Sequence, residues 1–69
     1  MKISKKILHS KWTSLTKKYG YRHFEVINFF ITKQMIELYA VCDKSYTILI
    51  TYQELQSTNL WVTGWRTLK

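Results

Sequence analysis

The run Lys17-Lys18-Tyr19-Gly20-Tyr21-Arg22 holds the residue types with the most definite chemistry in this chain. Lysine and arginine hold phosphates, and aromatic rings set between them stack on unpaired bases. Lys11 lies upstream beside Trp12, and Trp65 follows Gly64 at the other end. Lys11, Lys17, Lys18, Tyr19, Tyr21, Arg22 and Trp65 are therefore the candidate residues for binding nucleic acid or a protein partner. Tryptophan serves interface hot spots as well as cores. Trp65 is read both ways, whereas Trp12 and Trp61 are read as core. The basic run contains no recognised nucleic-acid signature, and solvated lysines that only promote solubility are its plainer reading.

Other reactive residue types do not assemble into a catalytic pattern. The four carboxylates, Glu25, Glu37, Asp43 and Glu54, are spread apart and suggest no acid–base pair. Cys42 ends an apolar run, where a buried, inert thiol is the expectation. A nucleophilic cysteine would need a lowered pKa and a nearby base. His23 can face Cys42 across a hairpin, and His9 would be a third ligand, one short of a closed zinc site. No catalytic residue, metal or cofactor is expected.

Charge narrows the partners. The chain carries 11 basic and 4 acidic residues, a formal net charge of +7. Lys2, Lys5, Lys6, Lys11, Lys17, Lys18 and Arg22 supply all of it, because the remaining basic and acidic residues balance. A neutral body with a basic front points to an acidic partner: nucleic acid, an anionic protein or a membrane surface. The longest apolar runs, Phe29-Phe30-Ile31 and Ile48-Leu49-Ile50, fall far short of the ~20 residues of a spanning helix. Residues 1–10 lack the apolar stretch of a signal peptide. As an interfacial helix, residues 1–19 would not present a clean apolar face. The single Cys fits a reducing compartment. The expectation is a cytoplasmic protein without a membrane span, a monomer or weak homodimer.

Elements must position these residues. Sixty-nine residues make one domain, with residues 1–7 as a basic, loose start. One Cys permits no internal disulfide, so a dense apolar core must hold so small a body. Three Trp, five Tyr and three Phe can supply it. Residues 23–32, 35–42 and 45–51 read as strands, separated by turns at Lys33-Gln34 and Asp43-Lys44. One register gathers Phe24, Val26, Phe30, Ile36, Leu38, Ala40, Tyr46, Ile48 and Ile50 on the main core face. Ile27, Phe29, Ile31, Tyr39, Val41 and Leu49 fall on the other, so both faces call for cover. Thr51 and Glu54 fit a capping box opening a helix over 52–58, with Leu55 inward. Gly64 reads as a turn residue before Trp65. Leu8, Trp12, Leu15 and Tyr19 have helical spacing, but the β-branched residues among them favour an extended segment packing Trp12 on the sheet. A basic amphipathic helix is the alternative. The fold class is α+β, mainly β: a three-stranded antiparallel meander, a short helix after strand three, and Trp-bearing terminal segments packed on the sheet. A small SH3-like barrel is the alternative.

Ser10-Lys11-Trp12-Thr13, His23-Phe24-x-Val26, Tyr46-x-Ile48 and Trp61-x-x-Gly64-Trp65 occur in order along residues 8–65. In these motifs the chain resembles a family of short, tryptophan-rich bacterial proteins, known from cyanobacteria and proteobacteria and of unknown function. The chain departs from that family's pattern at Lys17, near a frequent Pro, at Tyr52, usually Trp, and at Gln53, often charged. The resemblance implies one compact cytoplasmic domain and brings no activity, cofactor or partner.

Residues and charge together support a non-catalytic binding protein. The leading expectation is binding of RNA or single strands through the Lys/Arg/Tyr patch. An adaptor docking on a larger assembly through Trp65, the second sheet face and the basic front is the alternative.

Overall fold

A computed structural model describes residues 5–16 and 18–65. A 3-10 turn over Lys5–Ile7 precedes β1 (Lys11–Ser14), β2 (His23–Phe30), β3 (Met35–Ala40) and β4 (Asp43–Thr51). Helix α1 (Tyr52–Leu55) and β5 (Trp61–Thr63) complete the order. The strands form one antiparallel sheet in the order β4-β3-β2-β1-β5. The sheet has five strands rather than three, and it is open rather than closed into a barrel. The Trp-bearing end segments do not lie on a finished meander; they extend it. Trp12 stands opposite both Phe24 and Thr63, so β1 is an interior strand.

The mixed polar sequence of β1 reflects that position. Trp12 and Ser14 turn toward the core side, while Lys11 and Thr13 alternate to the other. Thr13 and Ser14 are buried, and their hydroxyls bond to the carbonyls of Gly64 and Thr16 at 2.7 and 3.1 Å. These bonds offset the cost of burying two polar side chains.

Strands β4 and β5 lie at opposite edges, so the chain between them must cross the sheet. That crossing, α1 and residues 56–60, covers one face. Leu55 and Trp61 join Trp12, Phe24, Val26, Ile36, Leu38, Ala40 and Ile50 in a buried core. Thr51 caps α1, its Oγ1 accepting from the Glu54 backbone N–H at 3.0 Å. The Glu54 carboxylate accepts from the Tyr19 hydroxyl. The helix ends at Leu55 rather than at 58, since Ser57 begins a turn whose carbonyl receives the N–H groups of Leu60 and Trp61.

A bulge between Val26 and Asn28 corrects the expected register. One extra residue reverses the facing of the rest of the strand. Phe29 therefore stands opposite Ile36 and packs on the core, while Phe30 stands opposite Met35 and is exposed. The second face lacks the expected cover among the described residues, leaving Ile27, Phe30 and Leu49 exposed. Cys42 also departs from expectation. Strand β3 ends at Ala40, which places Cys42 in the turn to β4, where it is exposed.

Candidate nucleic-acid interface

The loop between β1 and β2 carries most of the candidate residues. Its two tyrosines fasten it to the body. The Tyr19 ring sits 6.0 Å from Phe24, edge-on, and 6.0 Å from Trp61. Its hydroxyl donates to Glu54 Oε2 at 2.8 Å. Burial, and then this carboxylate, push the Tyr19 pKa up to about 12. The Tyr21 ring lies 5.0 Å from Tyr46, and its hydroxyl donates to Asp43 Oδ2 at 3.1 Å. Asp43 also accepts from the Ser45 hydroxyl and backbone N–H through Oδ1. The Ser45 hydroxyl, then Tyr21, hold the Asp43 carboxyl below the usual carboxylate range. One tyrosine thus ties the loop to α1 and the other ties it to the start of β4.

Gly20, with φ of +77°, turns the chain between the two tyrosines. Lys18 and Arg22 remain exposed on either side. Lys18 Nζ lies 5.4 Å from the centroid of the Tyr19 ring. A cleft of about 270 Å³ opens beside them, lined by Thr16, Gly20, Tyr21 and Arg22. Lys17, a further candidate, lies outside the described residues.

Lys11 and Trp65 meet elsewhere, on the face opposite the core. Gly64, with φ of +78°, turns the chain off β5, and its N–H donates to the Lys11 carbonyl at 2.7 Å. The Trp65 indole N–H then donates to the Phe24 carbonyl at 3.0 Å. Lys11 Nζ lies 5.2 Å from the Trp65 ring centroid, and the His23 ring lies 6.4 Å from it. The indole is fixed at one edge yet 42% exposed. His23 directly follows Arg22, so the start of β2 joins this site to the loop. Next along the face, Glu25 stands opposite Lys11 and Tyr39. Its carboxylate lies 3.7 Å from His9 Nδ1, and burial, then Glu25, raise the Tyr39 pKa.

The structure thus places the six described candidates in two neighbouring groups, Lys18, Tyr19, Tyr21 and Arg22 on the loop, and Lys11 with Trp65 on the sheet. The tyrosine–carboxylate bonds and His23 beside Trp65 were not anticipated from the sequence. Tyr19 and Glu54 are 35 residues apart, and no local pattern announces such a pair. Gly64 directly before Trp65 was the one sequence signal of this arrangement. Among the described residues no three of His, Cys, Asp and Glu come together as metal ligands. No helix among them is long and apolar enough to cross a membrane.

Neither a curated protein nor a solved structure matches this chain. Residues 10–66 do match the tryptophan-rich protein family DUF2389, whose function is unknown. Those residues take in all five strands and both groups of candidate residues, and the chain belongs to that family.

Proposed function

We propose that this protein is a non-catalytic binding module for single-stranded nucleic acid, RNA foremost. The observation that carries the reading is Trp65. It is held by its indole N–H on a sheet face that no described element covers, exposed, with Lys11 against its ring. A positioned aromatic beside cations suits a base and its phosphates. Trp65 takes the stacking role, because the Tyr19 and Tyr21 rings are packed inward and their hydroxyls are engaged. Lys11, Lys18 and Arg22 contact phosphates, and the charge of +7 draws the strand in.

Binding of fluorescent single-stranded RNA across a salt series tests this. With about three phosphates engaged, log K falls against log salt with a slope of roughly −2. A flat salt dependence, or no binding at low salt, refutes the reading.

A second reading rests on a separate observation. Ile27, Phe30 and Leu49 are exposed on the uncovered face, as in an adaptor for a protein partner. Affinity capture from native lysate separates the two. A protein complex retained after nuclease treatment favours the adaptor, and loss of the captured material favours nucleic acid.

A further inference from the structure

We propose that the cleft lined by Thr16, Gly20, Tyr21 and Arg22 is a subsite for a phosphate monoester; resting on the nucleic-acid reading, this is the terminal phosphate of the bound strand. The cleft, at about 270 Å³, is smaller than the roughly 300–1,000 Å³ of pockets that enclose whole small-molecule ligands. It has room for a phosphate and the atoms next to it. Its lining has the matching chemistry. The Arg22 guanidinium is a planar fork suited to two phosphate oxygens. Among the described residues no carboxylate lies within ion-pair distance of it. The Thr16 hydroxyl, 3.4 Å from the Ser14 hydroxyl, is a further polar group on the lining.

Gly20 adds access to the main chain. Among the described residues, none beyond the two chain neighbours of Gly20 comes within 4 Å of where its Cβ would stand, so a ligand oxygen can approach the backbone there. Its positive φ makes glycine the residue that keeps this surface bare without strain. The carboxylate bonded to the lining, Asp43, is turned to other partners. Oδ2 accepts from Tyr21, and Oδ1 accepts from Ser45. The Tyr19 and Tyr21 bonds hold the loop on both sides, so the lining is set before a ligand arrives. A monoester, with two negative charges and three terminal oxygens, uses the Arg22 fork more fully than a bridging diester.

Two measurements test the assignment. Inorganic phosphate is titrated into the ¹⁵N-labelled full chain, against chloride at equal ionic strength. Saturable shifts of the Thr16, Gly20, Tyr21 and Arg22 amides, lost in Arg22→Ala, are expected; shifts no larger than those with chloride overturn the subsite. Matched RNA strands bearing a 5′-phosphate, a 3′-phosphate or only hydroxyl ends are then compared. One phosphorylated strand binds about tenfold more tightly, and Arg22→Ala removes that preference without abolishing binding. Equal affinities for all three overturn the terminal-phosphate assignment. If no strand binds while the phosphate shifts persist, the nucleic-acid reading fails and the phosphate subsite stands.

Discussion

Trp65 and Tyr19 show how amphipathic aromatic side chains serve two ends. Both are amphipathic aromatics, and each has its polar atom bonded. Tyr19 is wedged between Phe24 and Trp61, whereas Trp65 rests on main chain and stays exposed. Trp65→Ala is expected to weaken RNA binding by about 1–3 kcal/mol, the worth of one stacked base, while the melting temperature barely moves. An equal loss of stability would assign Trp65 to the fold instead. Tyr19 makes the opposite prediction. Its pKa is raised from 10 to about 12, by burial first and then by Glu54, so the protonated hydroxyl supports the fold fully below pH 10. That support is lost as pH climbs through about 12, because the folded state resists losing the proton. Denaturant unfolding of the wild type should thus fall more steeply with pH above 10 than that of Tyr19→Phe. Parallel pH curves would show that the bond contributes nothing.

At the scale of elements, α1 is one turn long and its stability comes from its surroundings. Leu55, 1% exposed, anchors it to the core, and Leu55→Ala should cost about 2–5 kcal/mol in chemical denaturation. Thr51→Ala removes the cap and should cost about 0.5–2 kcal/mol. A cost for Leu55→Ala no larger than for the cap would mean that α1 does not close the core. These elements also mark what could be read from the sequence. The β-branched runs of residues 23–51 foretold β2, β3 and β4, and Thr51 foretold the helix start. Four residues, Lys-Trp-Thr-Ser, and three, Trp-Val-Thr, carry too little alternation to announce β1 and β5. Each is a strand because of partners far along the chain. The bulge after Val26 was equally silent, and it exchanges Phe29 with Phe30 on the core face.

Across the whole molecule, charge and packing are arranged separately. The core lies between one sheet face and the crossing chain, while Lys11, Lys18 and Arg22 stay exposed on β1 and the loop after it. The basic bias was plain in the sequence, and so were the residues of the patch. Their division into a loop group and a sheet group was not, because it depends on where the tyrosine hydroxyls and the Trp65 indole find partners. High salt should therefore weaken binding while leaving stability nearly unchanged, since no basic residue in either group forms an ion pair among the described residues. Parallel losses of stability and affinity with salt would show that the charges hold the fold together.

The pairing of β5 with β1 sets an order in time. Thr13 and Gly64, joined by a hydrogen bond, are 51 residues apart in sequence, whereas β2, β3 and β4 pair through short turns. Closing so long a loop costs entropy before any contact repays it, so the local hairpins assemble first. β5 then acts as a latch fitted after the main barrier. Val62→Ala should speed unfolding and leave the folding rate almost untouched, while Leu38→Ala should slow folding. The strand that carries the chain to Trp65 is thus the last to arrive, and the stacking surface exists only once folding is complete.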